Sequence, residues 1–178
     1  GQAAHVLEET VDGNPVYSNR FAGLVALQMT LTAVNDAPAL TYGGDGQSTA
    51  APITIEEDAA AITFGSDPGC DHNAIIVGDL DYAERADGTI TVTVKAGHGT
   101  LTLGSVPVSL IVTGNGGKTV TLTGSAEDIN AALEGLSYKV NADYNGKDAI
   151  TVTVSDEGNS GTGRELKANK TNHLEITT

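Results

Sequence analysis

The stretch "GTITVTVKAGHGTLTL" (88–103) decides the fold, because Val, Ile and Leu alternate with Thr along most of its length. In an extended chain successive side chains point to opposite faces, so this alternation gives each strand one apolar face and one hydroxyl-bearing face. The same alternation appears in three further stretches, "SLIVTGNGGKTVTLTG" (109–124), "DAITVTVSDEG" (148–158) and "HLEITT" (173–178). Short strands at such close spacing predict an all-β protein with an antiparallel β-sandwich.

The separators between these strands are "AGHG", "GNGG" and "DEGNSGTG". Gly and Asn adopt the positive φ angles that tight turns need. We therefore predict a hairpin at each of the three separators.

One interruption of the alternation, "GSAEDINAALEGLSY" (124–138), has helical spacing instead. Ser125 can cap the first turn, and Ile129 and Leu133 fall on one face. Gly135 is placed to end the helix. The segment predicts a single short helix that closes one end of the sandwich.

Composition limits the classes of partner. The chain has 23 acidic and nine basic residues, for a formal net charge of −14, which repels nucleic acid and anionic lipid and attracts cations. No apolar run approaches the roughly 18 residues of a membrane span. We therefore expect neither nucleic-acid binding nor membrane insertion. The single cysteine, Cys70, cannot form an intrachain disulfide.

A weak internal repeat indicates how the chain is divided. An offset of 145 residues places "GN" at 13–14 on "GN" at 158–159, and the alternating residues 29–32 on residues 174–177. The stretch "VNDAP" then directly follows a final strand. The offset predicts two parts, namely the terminal strand and loop of an upstream repeat (or a strand donated to a neighbouring subunit) in residues 1–33, and a complete module in residues 34–178.

Several segments together resemble one known family. They are "AVNDAP" (33–38), "IEEDAA" (55–60), "GDLDYAE" (78–84), "GTLTL" (99–103), "LTGSAEDINAALEGLSYKVNADYNGKDAITVTVSDEGNSGTG" (122–163) and the closing "LEIT". The chain resembles the cadherin-like tandem repeats of large bacterial RTX-type surface adhesins, also called VCBS-like or tandem-95 repeats. The resemblance implies an immunoglobulin-like or cadherin-like sandwich that is exported to the cell surface, strung in tandem and stiffened by Ca²⁺ at the junctions between modules.

The resemblance also implies a set of calcium ligands that gather at the junction. These residues are Asn35, Asp36, Glu57, Asp79, Asp81 and Glu84. Their oxygen donors suit Ca²⁺, which takes six to eight hard oxygens. Asp79 and Asp81 are two residues apart, so in extended backbone they point to the same side and can share an ion. Ala33 stands where the cadherin linker has a further Asp, which leaves the number of ions open.

A role without a metal is also open for each of these acidic residues. Asp and Asn are common in turns because they bond to their own backbone, and acidic surfaces keep proteins soluble. Hairpin chemistry accounts for Asp143, Asn145, Asp148 and Asp156 without a metal.

The remaining motifs give no catalytic site. The segment "TGNGGKT" (113–119) lacks the first glycine of a phosphate-binding loop and lies between two strands. Cys70 and His72 could begin a zinc site, but no CxxC or HxxxH pair completes it. We therefore expect that the protein is not an enzyme.

Three functions follow as hypotheses. The first is a calcium-stiffened structural repeat of an extracellular, cell-surface bacterial adhesin, whose partners are neighbouring repeats or subunits of the same protein, with a host or surface ligand bound through other regions. The second is the subunit of an extracellular filament, assembled by donation of the N-terminal strand. The third is a ligand-binding module that uses two inserted loops, residues 43–52 and 65–74.

Overall fold

The computed structural model describes residues 6–11, 14–18, 34–42, 52–72, 74–79, 88–158 and 164–178. The chain divides into two compact units, Gly1–Leu31 and Thr32–Thr178. In the first unit, β1 (Val6–Val11) pairs antiparallel with β2 (Asn14–Ser18). The final strand that we predicted at residues 30–32 lies outside the described residues, and the assignment of residues 1–33 to an upstream repeat or a neighbouring subunit stays a prediction.

The described strands of the second unit are mostly short. In chain order they are β3 (Ala39–Tyr42), β4 (Ile53–Glu56), β5 (Ile62–Phe64), β6 (Ile75–Gly78), β7 (Ile90–Ala96), β8 (Gly99–Thr102), β9 (Ile111–Thr113), β10 (Thr119–Gly124), β11 (Leu136–Val140), β12 (Gly146–Ser155) and β13 (Lys167–Thr177). The helix α1 (Ala126–Leu133) lies between β10 and β11.

These strands form one large sheet and two small ones. The six-stranded sheet has the order β4-β13-β12-β7-β10-β9, the three-stranded sheet β5-β11-β8, and the two-stranded sheet β3-β6. All pairs are antiparallel except β4 with β13, which run parallel from Leu174↔Ile53 to Thr177↔Glu56.

The core lies between the sheets and is mainly aliphatic. On β7, β10 and β12 the Val, Ile and Leu residues are buried, while the alternating Thr residues are half-buried, except Thr119, which is exposed. They pack in one cluster with side chains of the smaller sheets, such as Leu101, Tyr138 and Phe64. The fold is therefore an all-β sandwich with one short helix, and the prediction of the fold class is confirmed.

The helix begins and ends where the sequence indicates. The Ser125 hydroxyl accepts a hydrogen bond from the Asp128 backbone N–H at 3.0 Å, which satisfies an otherwise unpaired N–H of the first turn. Ile129 and Leu133 are fully buried. Gly135 has a φ of +76°, a conformation that disfavours side chains with a Cβ.

The hairpin prediction is correct at two separators and wrong at the third. "GNGG" joins β9 to β10, with Gly114 and Gly116 at positive φ, and "DEGNSGTG" joins the paired strands β12 and β13. At "AGHG", however, β7 and β8 lie in different sheets, so this segment crosses from one layer to the other. The buried carboxylate of Asp148 accepts hydrogen bonds from this segment and holds the crossing in place.

Candidate functional site

The predicted calcium ligands lie at two ends of the sandwich. Strand β12 has ten residues, so its two ends, at Gly146 and Ser155, are about 30 Å apart. The side chain of Asn35 contacts Asp156, which directly follows β12, and so lies at the Ser155 end. Asp36 is the next residue in the linker, residues 34–38, which precedes β3.

Asp79 lies at the same end as this linker. It directly follows β6, whose last residue, Gly78, pairs with Ala39 at the start of β3. Val77 of β6 is also bonded to the Asn130 side chain of α1, which closes this end. The structure therefore brings Asp79 to the side of the domain that carries the 34–38 linker.

Glu57 lies at the other end. Its backbone N–H donates to the carbonyl of Thr177 at 2.7 Å, and its carboxylate accepts a 3.5 Å hydrogen bond from Asn145, next to the start of β12. One ion therefore cannot bind Glu57 and Asn35 within one copy of this unit.

Asp81 and Glu84 lie outside the described residues. Within the described part of the chain, no three His, Cys, Asp or Glu side chains lie close enough together to hold a metal ion. Calcium binding stays a prediction, and a calorimetric titration with Ca²⁺ tests it.

Asn35 has a structural role in the linker. Its side chain is buried, and its amide donates both to the Asp156 carboxylate and to the carbonyl of Arg164, the latter at 3.0 Å. Both partners are acceptors, which fixes the orientation of the amide. Asn35 therefore fastens the linker to the two ends of the β12–β13 connection.

Asp156 is the anchor of this arrangement. Its other oxygen accepts hydrogen bonds from the backbone N–H groups of Gly158 and Leu166, both at 2.8 Å. Burial alone would raise the pKa of Asp156, but these hydrogen bonds and the one from Asn35 hold that pKa below its ordinary value. The carboxylate is therefore charged at neutral pH.

A second buried carboxylate, Asp148, holds the crossing between β7 and β8. One of its oxygens accepts from the backbone N–H groups of Gly97 at 2.9 Å and Ala149 at 2.7 Å. The other oxygen accepts from the His98 backbone N–H at 2.8 Å and from the Tyr138 hydroxyl at 2.6 Å. A carboxylate has about four acceptor positions, so Asp148 is saturated.

The electrostatics of this cluster follow from burial and hydrogen bonding. Burial opposes ionisation of Asp148, yet the donated hydrogen bonds outweigh it and its pKa is lowered. Burial, and next the hydrogen bond to Asp148, raise the pKa of Tyr138 far above its ordinary value. The imidazole of His98 stacks on the Tyr144 ring, with centroids 4.0 Å apart and planes 7° apart. The cluster joins both layers of the sandwich.

The sequence contained a signal for this anchor. Asp148, Ile150, Val152 and Val154 fall on the same face of one alternating strand, and that face is the buried one. A carboxylate on the buried face of a strand must accept hydrogen bonds from neighbouring groups of the protein or from buried water. From the sequence we inferred that Asp148 serves the turn of a hairpin. That role does not include the hydrogen bonds that Asp148 accepts from Gly97, His98 and Tyr138.

The loop around Cys70 is also tied to the sheet. The Asp71 carboxylate accepts from the backbone N–H and the hydroxyl of Thr63, at 2.7 and 3.0 Å. The His72 ring lies 5.4 Å from the Phe64 ring, and burial lowers the pKa of this imidazole. Among the described residues no third ligand joins Cys70 and His72 to form a zinc site. The other inserted loop that we predicted to bind a ligand, residues 43–52, lies outside the described residues except for residue 52.

No helix in the described part of the chain has the length and apolar character to cross a bilayer.

Comparison with known proteins corrects the family resemblance. Residues 78–163, slightly less than half of the chain, match the model of the Protein GAMETE EXPRESSED 2 (GEX2) domain, and this segment contains β7 to β12 and α1. No curated protein and no solved structure matches the chain. The GEX2 domain is a different family from the bacterial cadherin-like or VCBS-like repeats, so that resemblance is wrong. The function drawn from it, a calcium-binding repeat of a bacterial surface adhesin, is wrong with it. The chain is thus similar, over its central part, to the GEX2 domain.

Proposed function

We propose that this chain is a non-enzymatic β-sandwich domain that acts as a structural element and binds other proteins. The observation that supports this most strongly is the saturation of Asp148. A catalytic acid or base needs a free lone pair or a transferable proton within reach of a substrate. Asp148 uses its acceptor positions on four donors of its own domain, and Asp156 uses at least three of its positions in the same way.

The surface supports a protein partner. A net charge of −14 disfavours nucleic acid. The apolar side chains of Val106, Val108 and Ile111 are exposed on the surface of the sandwich. The likeness to the GEX2 domain adds a setting, a protein that is expressed in gametes. An extracellular location is part of the proposal, and surface labelling of intact cells with a membrane-impermeant reagent tests it.

Genetic replacement separates a structural from a catalytic role. A gene that encodes Asp148→Asn replaces the wild-type gene. The cells are grown at a temperature at which circular dichroism shows the purified variant to be folded. We expect the folded variant to restore the function that is lost when the gene is deleted. It should fail only at temperatures at which it unfolds. Loss of function in a fully folded variant would overturn the proposal, because it would mean that the carboxylate acts chemically.

A further inference from the structure

The edges of the two larger sheets differ in how they are protected. An unpaired edge strand offers a row of backbone donors and acceptors to any other strand, and proteins block such edges with charges, covering loops or bulges. Strand β4 ends on an acidic residue, Glu56, and is followed by Glu57 and Asp58. Strands β5 and β8 are covered by backbone bonds of their own chain, to His72 and to Gly116 and Gly117 respectively.

Strand β9 has no such protection among the described residues. It pairs only with β10, and its three residues, Ile111, Val112 and Thr113, carry no charge. Val112 packs against the core, so Ile111 and Thr113 face outward. Within the described part of the chain, the edge of β9 that faces away from β10 is open for pairing.

Exposed apolar side chains accompany this edge. Val106, Val108 and Ile111 are 47%, 108% and 67% exposed, and they lie within six residues on the connection from β8 and the start of β9. The connection is held in place, because the Ser109 hydroxyl donates to Asp128 of α1 at 2.7 Å and Leu110 is buried. The exposed valines therefore lie on an ordered surface beside an unpaired strand.

The same region is almost free of charge. Residues 99–124 contain one charged side chain, Lys118, in a chain of net charge −14. Two copies of this acidic chain repel each other wherever carboxylates face carboxylates. At β9 the strand and its connection bring no carboxylate of their own to the contact, and the neighbouring carboxylate of Asp128 accepts a hydrogen bond from Ser109. A basic partner, by contrast, would be attracted to the acidic parts of the surface.

We infer that β9 is a pairing edge for a second copy of this chain. Two antiparallel edge strands are related by a two-fold axis, so one edge is complementary to itself. With the axis at Val112, Ile111 lies opposite the second copy's Thr113, and the two six-stranded sheets become one continuous sheet. The inference names a partner within the proposed function and rests on it, but its failure leaves the non-enzymatic role standing, since the Asp148 replacement tests that role separately.

Sedimentation velocity of the full chain tests the pairing. A three-residue strand buries little area, so we expect a weak dimer, with a dissociation constant of about 100 µM, seen as a rising weight-average mass between about 1 and 500 µM protein. Raising NaCl from about 20 to about 500 mM should strengthen the dimer, because salt screens the repulsion between the acidic copies.

Two matched variants locate the interface. Ile111→Lys places a charge on β9, and Thr54→Lys places the same charge at an exposed position of the other edge strand, β4. Both raise the net charge by one unit, so general repulsion changes equally. We expect Ile111→Lys to weaken association at least tenfold while Thr54→Lys stays a dimer, with both variants folded by circular dichroism. A monomeric wild type over this concentration range, a dimer weakened by salt, or equal effects of the two variants would overturn the inference.

Discussion

Replacing Asp148 with Asn removes one acceptor oxygen from the buried crossing between β7 and β8. The new amide group is a donor, and whichever way it turns it faces at least one backbone N–H, either that of His98 or those of Gly97 and Ala149. An unsatisfied buried donor costs about 1–3 kcal/mol, and the remaining bonds lose the assistance of the negative charge. We expect Asp148→Asn to lower the free energy of unfolding by about 3–5 kcal/mol. Since small domains are stable by about 5–15 kcal/mol, this is a large fraction of the total.

Urea unfolding followed by circular dichroism measures this loss, with Asp143→Asn as the matched control. Asp143 is exposed and has a φ of 58°, a conformation that Asn tolerates, so the control should change stability by less than about 0.5 kcal/mol. Equal midpoint shifts for the two variants would refute the role of Asp148 as an anchor.

The pH dependence gives a second check on the same variant. Hydrogen bonding lowers the pKa of Asp148 in the folded state below its ordinary value of 3.8. The stabilisation is therefore complete above pH 3.8 and is lost as the pH falls through the lowered folded-state pKa. The difference in stability between wild type and Asp148→Asn should accordingly be constant near neutral pH and shrink in strong acid. A difference that grows on acidification would show that the carboxylate is not ionised in the fold.

Three further substitutions, and one control, test other parts of the fold by the same urea assay. Asn35→Ala removes the two hydrogen bonds that fasten the linker, and should cost about 1–3 kcal/mol; a cost under about 0.5 kcal/mol would contradict that role. Asn172 is buried and makes no side-chain hydrogen bond with the described residues, so Asn172→Leu should raise stability by about 1 kcal/mol, and a loss would reveal a partner. At Gly99 a Cβ would clash with the Tyr138 ring, whereas at Gly69 it would meet no atom within 4 Å. Gly99→Ala should therefore cost at least about 2 kcal/mol and Gly69→Ala almost nothing, and similar costs would refute the close packing at β8.

The parts of the fold that sequence predicts well are those set by local chemistry. The alternation of Val with Thr gives β7, β10 and β12, because a period of two can bury only one face. Ser125 and Gly135 bound the helix through a cap and a positive φ, which depend on neighbouring residues alone. The helix α1 can therefore be predicted from its own residues, without knowledge of any tertiary contact.

The parts that sequence missed depend on pairing between distant segments. At "AGHG" glycine permits a tight turn but does not require one, and the layer change is held by hydrogen bonds to Asp148, some 50 residues further on. The strands β3 to β6 have three or four residues each, too few for a period to be visible. Among the predicted ligands, oxygen chemistry alone could not show that Glu57 and Asn35 lie at opposite ends of β12.

The family resemblance failed for a related reason. Many of the quoted segments, such as "GTLTL", are alternating strands and turns, and sandwiches of different families share such patterns because the same physics selects them. The pattern therefore predicted the layers correctly and the relatives incorrectly.

The parallel pairing of β4 with β13 determines how this domain responds to mechanical tension. When Ile53 is pulled in the N-terminal direction and Thr177 in the C-terminal direction, the two parallel strands slide past each other. Their hydrogen bonds, from Leu174↔Ile53 to Thr177↔Glu56, then carry the load simultaneously in shear. If the two strands were antiparallel, the same pull would open their hydrogen bonds one at a time. The direction of one four-residue strand thus gives this pair of strands resistance to shear along the line that joins their outer ends.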